Sequence, residues 1–394
     1  MDLNSMKTFK NQEERTLWRS PLVLALAGCL LFSMVSISVM ESFLALAFIF
    51  WVATLVKTKT KPGFPSFFWP LLIYSGLSLL SCFFSVNPEI SLKHAKELLL
   101  YIIVPVIMTA LATRKGRAAT TTALLASGFL STLYSIGYFV FKARPGERIQ
   151  GFMGHYMTQA GLLLLFMCAG LSLFLFSRNR ARGAWAIACL LAIFALALTL
   201  TRSAWVAFVV ALCFLLYLYK PRALVLVPVA IALFFFLSPP VVRDRALSIF
   251  NPRHVFNQTR IEYLKAGIKI IKEFPLLGTG PDTVEMVFQD PKYGLSEVAK
   301  KNVHLHNNFT QIGAERGIPT LLAWLAFIGW AFFSLIPLLK NRDPSVFPYA
   351  AAAGAAILAL ITAGFFEYNF SDSEITVLFL YLITVPWASK AVRE

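Results

Sequence analysis

Two histidines lie close together in residues 303–317, where polar side chains interrupt an otherwise apolar sequence. His304 and His306 are followed by two asparagines and then by Glu315 and Arg316. A histidine beside the first turn of a helix can act as a general base, because the helix N-terminus disfavours the charged imidazolium and leaves the ring able to accept a proton. The alternative is that His306 caps or packs at a membrane surface, and the neighbouring residues alone do not separate the two.

Three arginines could bind an anion beside this stretch. Arg202 lies between two apolar runs, Arg260 begins an amphipathic segment, and Arg148 precedes the tripeptide Ile-Gln-Gly. A guanidinium matches phosphate oxygens bidentately, and an arginine near hydrocarbon is costly without an anionic partner. The alternatives are an arginine that extends to lipid headgroups at position 202 and a solvated loop arginine at position 260.

Metal and nucleotide signatures are weak in this sequence. His304 and His306 are two residues apart, so their side chains share a face only in an extended chain. Asp372 and Glu374 could bind a hard cation, but the simpler interpretation is that they are solvated at a turn before the last helix. The Gly-Thr-Gly at residues 278–280 lacks the preceding strand and third glycine of a dinucleotide fingerprint. The five cysteines lie in apolar runs without C-x-x-C pairing and are typical of small buried hydrophobes. We therefore predict no metal and no cofactor.

The amino-acid composition is typical of a protein that is embedded in lipid rather than dissolved in water. Hydrophobic residues make up 58% of the 394 residues and charged residues 14%, with a mean hydropathy of +0.68. Such values, with apolar runs along almost the whole length, predict an all-α polytopic membrane protein. The net charge of +16 does not indicate nucleic-acid binding, because the basic residues fall between the apolar runs.

The apolar runs predict twelve transmembrane helices. The predicted spans are residues 21–40, 42–56, 66–85, 97–113, 117–141, 156–177, 184–201, 203–219, 222–238, 318–340, 347–366 and 374–389. They divide the chain into residues 1–238 with nine helices, a long polar segment at 239–317, and residues 318–394 with three helices. Within the polar segment, residues 259–274 are predicted to form an amphipathic helix that Pro275 ends.

The basic clusters predict the orientation of this bundle. With twelve helices they fall on one side, where they outnumber the acids and therefore mark the cytoplasm. These residues are Lys7, Lys10, Arg15, Arg19, Lys57, Lys59, Lys61, Arg114, Lys115, Arg117, Arg178, Arg180, Arg182, Lys220, Arg222, Lys340, Arg342, Lys390 and Arg393, against Asp2, Glu13, Glu14, Asp343 and Glu394. Both termini are then cytoplasmic, and the segment around His306 lies on the other face.

At these residues the chain resembles the O-antigen ligase and O-antigen polymerase family of bacterial envelope glycosyltransferases. Four features carry the resemblance, which covers roughly residues 145–375. They are His304-x-His306-Asn307 with Phe309, Glu315 and Gly317 entering a membrane helix; Thr201-Arg202-Ser203-Ala204-Trp205 between two helices; Arg260 followed by Pro275-Leu276-Leu277-Gly278-Thr279-Gly280; and the large outward loop before the last three helices. Phe309 stands where the family often has leucine, and Tyr263 matches an aromatic expected after the loop arginine.

The resemblance implies a GT-C-like membrane fold in the bacterial inner membrane, with a partly helical periplasmic loop and a periplasmic active site. It also implies a metal-independent transfer of glycan from undecaprenyl diphosphate to a hydroxyl acceptor, among membrane lipids and without nucleic acid. His306 would be the base, Arg202 and Arg260 would bind the diphosphate, and His304, Asn307, Arg148 and Glu315 would be accessory residues.

Several acceptors and one other class remain open at the level of sequence. A ligase delivers the glycan to a sugar of the lipid A core, a polymerase to another lipid-linked repeat, and some relatives glycosylate protein. The compact chain and its single large loop favour the ligase. A lipid or solute transporter would instead show ionisable or broken-helix positions near the bilayer midplane. The predicted spans are almost free of charge in their interiors, which favours an interfacial enzyme.

Overall fold

A computed structural model describes residues 20–144, 146–178 and 180–390. All its regular elements are helical, as predicted. The helices are α1 (Ser20–Phe32), α2 (Ile37–Thr58), α3 (Phe68–Phe83), α4 (Pro88–His94), α5 (Ile103–Ala110), α6 (Arg114–Phe141), α7 (Tyr156–Phe176), α8 (Arg182–Leu198), α9 (Arg202–Tyr219), α10 (Leu226–Leu237), α11 (Pro240–Leu247), α12 (Val255–Glu273), α13 (Val284–Phe288), α14 (Asn308–Ser334), α15 (Ile336–Asn341), α16 (Phe347–Gly364) and α17 (Ser373–Lys390). The longer 3-10 segments are Ala95–Ile102, before α5, and Pro221–Val225, before α10.

Six of the described helices are long and apolar enough to cross a membrane, which makes the chain a polytopic membrane protein. They are α2, α6, α7, α9, the continuous α14–α15 segment, and α16. Every predicted span falls on helical structure. By length and apolar composition, however, only six of the described helices qualify as membrane spans, against the twelve predicted. The segment predicted at 97–113 shows why, because its first part is a 3-10 helix and only eight residues of α-helix follow. The terminal charges used for the orientation, up to Arg19 and beyond Lys390, lie outside the described residues.

Two helices pack at the centre of the bundle. Most of α7 and α16 is buried, and α16 lies against α7, α9 and α17. Alanines at 350–353, 355 and 356 allow this close approach, because small side chains let helix backbones come together where lipid offers no hydrophobic driving force. Four of the five cysteines are buried, Cys213 is partly buried and all are free, which agrees with their interpretation as small hydrophobes.

Helix α14 begins within the polar motif rather than near residue 318, where the apolar run starts. Asn307 is its N-cap, and the side-chain Oδ1 accepts hydrogen bonds from Phe309 N (2.9 Å) and Thr310 N (3.0 Å). Gly317 then breaks the helical geometry with φ 81° and ψ 169°. The first two turns of α14 are therefore a buried polar segment, which hydropathy alone assigns to a loop.

The polar segment before α14 folds against its first two turns. Its own small core contains Tyr263 and Ile270 of α12 together with Phe288, Leu305 and Ala314. The amphipathic helix predicted at 259–274 is α12, which extends from Val255 to Glu273. The face of α12 that packs inward contains Tyr263, Ala266, Gly267 and Ile270, whereas the apolar side chains of Ile261, Leu264 and Ile268 are exposed. The helix forms one wall of the cavity described below.

The Gly-Thr-Gly turn at 278–280 holds this segment to α14. Thr279 N donates to the Ala314 carbonyl (2.9 Å), and Gly280 N donates to the Glu315 carbonyl (2.8 Å). A Cβ at Gly278 would overlap the Glu315 backbone, which explains a glycine with φ 68° at this position. Since two of its amides are used within the protein, the turn has a structural role and is not built as a phosphate loop.

Candidate active site

A cavity of about 350 Å³ opens where the starts of α7 and α9 meet α12 and the end of α16. Its volume is within the range of ligand-binding pockets. The structure brings five of the predicted site residues to this cavity: Arg148, Arg202, Arg260, His304 and His306. It adds residues that sequence reasoning missed, chiefly His155, Tyr156, Arg245, Asn257 and Glu367. Arginines outnumber acids among the lining residues, so the cavity is cationic.

Arg260 has the least satisfied guanidinium in this cavity. The side chain comes from the first half of α12, and its buried Nη1 has no hydrogen-bond partner among the described residues. The guanidinium carbon lies 5.9 Å from the centre of the Phe366 ring. Burial lowers the pKa of Arg260, and the Glu367 carboxylate partly opposes this effect. A buried cationic donor without a partner is costly, so Arg260 is poised to receive an anion.

Arg202 is the first residue of α9, and protein groups hold its side chain. Nη1 donates to the Ser248 carbonyl (2.8 Å) and Nη2 donates to Asn257 Oδ1 (2.8 Å). Asn257 lies in α12, so these bonds join the two helices that carry Arg202 and Arg260. The two arginines predicted to share one anion therefore line one cavity, and the arrangement fixes one relative to the other.

Arg148 and Arg245 stabilise a strained turn. Leu200 adopts φ 52°, a left-handed conformation that costs about 1–2 kcal/mol for a residue with a side chain. Its carbonyl accepts from Arg148 Nη2 (3.2 Å) and Arg245 Nε (3.1 Å), and Arg148 Nε donates to the Thr199 carbonyl (2.9 Å). Burial lowers the pKa of Arg148 to about 10, so the charge persists at neutral pH. Arg148 therefore lines the cavity while its Nε and Nη2 hold the turn before Arg202.

His306 lies beside a carboxylate that the sequence analysis did not consider. Its Nδ1 is 3.0 Å from Glu367 Oε1 and 3.2 Å from Oε2, and the residue adopts φ 49°. Burial by itself raises the pKa of Glu367, but His306 and the charge of Arg260 outweigh burial and leave it below its ordinary value. An ionised carboxylate only accepts hydrogen bonds, so Nδ1 donates to Glu367, and in the neutral imidazole Nε2 is the proton acceptor. The structure thus adds a carboxylate partner for the His306 ring to the helix N-terminus on which the prediction relied.

The other two histidines of the cavity are held in environments that favour the neutral ring. Burial lowers the pKa of His304, and the Glu367 carboxylate partly opposes this. Its ring packs at 5.5 Å against the ring of Tyr368. Burial likewise lowers the pKa of His155. His304 therefore acts as a neighbour of the His306–Glu367 pair and not as a competing cationic group.

Two predicted accessory residues do not reach the cavity. Asn307 caps α14 and donates from Nδ2 to the Phe365 carbonyl (2.9 Å), which ties the histidine motif to the end of α16. Glu315 is buried, where it pairs with Arg316 Nη1 (2.8 Å) and accepts from Asp282 N (3.1 Å). Its carboxylate links Asp282, two residues beyond the Gly-Thr-Gly turn, to α14, and Glu315 does not line the cavity.

Asp372, the first member of the acidic pair, lies at a smaller adjoining cavity of about 150 Å³. Burial and neighbouring carboxylates raise the pKa of Asp372. Over the described residues no group of three or more His, Cys, Asp or Glu side chains is arranged to hold a metal ion.

Fold and site together define a polytopic helical membrane protein with a cationic cavity at one end of its bundle. Residues 187–325 match the family model Wzy_C, described as O-antigen ligase, and these residues form a domain of the O-antigen ligase family. No curated protein matches the chain. The matched segment contributes Arg202, Arg260 and His306 to the cavity, whereas Arg148 and Glu367 come from outside it.

Proposed function

We propose that the protein is an O-antigen ligase that transfers a glycan from undecaprenyl diphosphate to a sugar hydroxyl of the lipid A core. One observation carries the proposal: Arg202, Arg260 and the His306–Glu367 pair face a single cavity. The O-antigen ligase domain at residues 187–325 supports the same reaction class. A diphosphate leaving group requires fixed positive charge, and a hydroxyl nucleophile requires a base, and this cavity offers both.

The donor diphosphate binds at the arginines. Arg260 offers its unpartnered Nη1, and hydrogen bonds to Ser248 and Asn257 hold the Arg202 guanidinium at the cavity. Prepositioned donors stabilise charge that develops on the departing diphosphate without reorganisation at the moment of reaction. The apolar side chains Val206 and Phe256 also line the cavity and fit the first units of a polyprenyl chain.

His306 takes the proton from the acceptor. The acceptor oxygen attacks the anomeric carbon and forms the new glycosidic bond, while the bond from that carbon to the diphosphate oxygen breaks and leaves its electron pair on the diphosphate. His306 Nε2 receives the hydroxyl proton, and Glu367 holds the ring through Nδ1 and stabilises the imidazolium that forms. The arginines neutralise the leaving group, so the proposed reaction uses no metal.

The orientation follows from the basic residues of the loops. We place twelve crossings in the inner membrane, both termini in the cytoplasm and the cavity at the periplasmic face. The basic loops that would lie in the cytoplasm include Arg178 after α7 and Lys220 after α9, at the ends of those helices remote from the cavity. Lipid-linked glycan and lipid A core would then meet at the outer surface of the membrane.

A deletion strain of the source bacterium tests the acceptor. Loss of long-chain lipopolysaccharide together with accumulation of lipid-linked polymer is the expected result. Core that carries a single repeat would instead assign the protein as an O-antigen polymerase. Unchanged lipopolysaccharide with underglycosylated protein would assign a protein O-oligosaccharyltransferase. Unchanged lipopolysaccharide, lipid-linked glycan and glycoprotein would contradict glycan transfer and favour a transporter.

A further inference from the structure

A second cavity, of about 730 Å³, lies at the opposite end of the bundle from the candidate active site. Helix α7 begins at the candidate active site and ends at this cavity, where Ser177 and Arg178 line it. Helix α16 runs the other way, from Ser345 and Tyr349 at the second cavity to the loop with Glu367. The two cavities are therefore separated by the full length of the central helices, and the second one takes no part in the proposed transfer.

One face of α6 forms a wall of this second cavity. Its residues recur at helical spacing and are Arg114, Arg117, Ala118, Thr121, Thr122 and Leu125. Further along, α6 lies directly on α7, where Gly128 faces the Phe166 ring and Gln159 Nε2 donates to Ser131 Oγ (3.1 Å). The gap between the helices thus closes toward the active-site end and widens toward the opposite end.

The lining of the second cavity is amphipathic. Arg114, Arg117 and Arg178 supply positive charge, and no aspartate or glutamate lines the cavity within the described part of the chain. Arg117 is buried and anchored by a bond from Nη1 to the Leu111 carbonyl (3.1 Å), while Arg114 and Arg178 are exposed at the rim. Leu125 and Ala181, which are partly exposed, provide apolar surface within the same cavity.

We propose that the second cavity binds the headgroup of an anionic phospholipid. The phosphodiester would lie between Arg114 and Arg178, and the start of an acyl chain would lie against Leu125 and Ala181. Guanidinium groups bind phosphate through charge-assisted hydrogen bonds, and basic pockets between transmembrane helices are typical sites for acidic lipid headgroups. The apolar wall distinguishes this arrangement from a site for a free anion, because inorganic phosphate gains nothing from it.

Native mass spectrometry of the delipidated full-length protein tests the proposal. The protein in detergent is titrated with phosphatidylglycerol, with phosphatidylcholine of the same acyl chains, and with inorganic phosphate. We expect phosphatidylglycerol to bind on the order of tenfold more tightly than phosphatidylcholine, since the two lipids share the apolar contacts and differ in net charge. Equal binding of the two lipids would overturn the proposal, and so would full displacement of phosphatidylglycerol by millimolar inorganic phosphate.

Two variants locate the binding at this cavity. Arg114→Gln with Arg178→Gln removes the rim charges, and we expect the preference for phosphatidylglycerol to fall on the order of tenfold. Thr122→Trp fills the cavity with the charges intact, and we expect it to weaken both lipids. Lys220→Gln with Arg222→Gln is the matched control, because these basic residues are exposed at the same end but do not line the cavity. Retained preference in the first variant, or an equal loss in the control, would contradict the assignment.

Discussion

At the scale of single residues, Arg260 has the environment that most strongly requires an anion. We expect Arg260→Ala to lower transfer on the order of 10²–10³-fold, because one preorganised donor to the leaving group is lost. Arg260→Lys should restore little, since a point charge cannot copy the bidentate fork. Transfer by purified protein with a lipid-linked donor measures both. Lys265→Ala on the same helix is the control, because Lys265 is exposed and does not line the cavity. An active Arg260→Ala protein would contradict the diphosphate assignment.

Glu367 offers a second prediction, which separates positioning from charge. Glu367→Gln keeps an acceptor oxygen but can also present its amide hydrogens to His306, which favours the wrong tautomer. We expect a loss in kcat on the order of 10²–10⁴-fold with the donor KM little changed. Glu285→Gln, an exposed glutamate remote from the cavity, should match the wild type. A loss confined to KM would show that Glu367 binds donor instead of orienting the base.

The pKa of Glu367 fixes the pH range in which this pair is intact. Because its folded-state pKa is below the ordinary value of about 4.3, its stabilising contribution is present above that pH and is lost only as pH falls through the lower folded value. The carboxylate is therefore ionised throughout pH 5.5 to 8.5, and its titration should leave no feature in a rate profile over that range.

The sequence could predict part of this site. Arg202, Arg260 and His306 stand in recognisable local motifs, and the fold places all three at one cavity. Glu367 could not be paired with His306, because 61 residues separate them and only the packing of α14 on α16 brings them together. The only indication of Glu367 in the sequence was a single acidic residue directly after the apolar run at 347–366. The burial of Glu315 away from the cavity could not be predicted either, since a polar motif gives no indication of which of its members turn inward.

At the scale of the element, the bend of α14 at Gly317 determines how the polar segment meets the bundle. A Cβ at Gly317 would overlap the Leu276 carbonyl oxygen, and φ 81° is unfavourable for any residue with a side chain. We expect Gly317→Ala to destabilise the protein by about 1–3 kcal/mol. Thermal unfolding in detergent measures the change. Gly329→Ala in the same helix is the control, since nothing lies within 4 Å of its added Cβ, and it should be neutral or slightly stabilising. Equal midpoints would contradict the strained bend.

Helix type was easier to predict than helix ends. Apolar periodicity and length correctly indicated helices throughout, because the lipid-facing residues report directly on their solvent. The histidine motif indicated a helix start, but the hydropathy span began only at residue 318 because Asn308, Gln311 and Glu315 are buried inside protein, where hydrogen bonds satisfy them. Hydropathy reports transfer into lipid and has no information about such internal partners.

At the scale of the whole molecule, the arrangement of basic loops predicts the topology. Reporter fusions after Lys220 and after Lys340 should report the cytoplasm, and a fusion after Asp290 should report the periplasm. The physical reason is the retention of basic loops on the cytoplasmic side during insertion. A fusion after Arg178 serves as a further cytoplasmic marker at the far end of α7. Any arrangement with Lys220 and Asp290 on the same side would contradict both the orientation and a periplasmic active site.

The central claim is that His306 is the base of a metal-independent transfer, and turnover by purified protein tests it most directly. Transfer from a lipid-linked donor is measured for the wild type, His306→Ala and His254→Gln, with and without chelator. His254 is the matched control because it is the N-cap of α12 in the same polar segment but does not line the cavity. We expect His306→Ala to bind donor normally yet lose about 10²–10⁴-fold in turnover, and the wild type to be unaffected by chelator. Near-normal turnover by His306→Ala, or loss of wild-type activity on chelation, would contradict it.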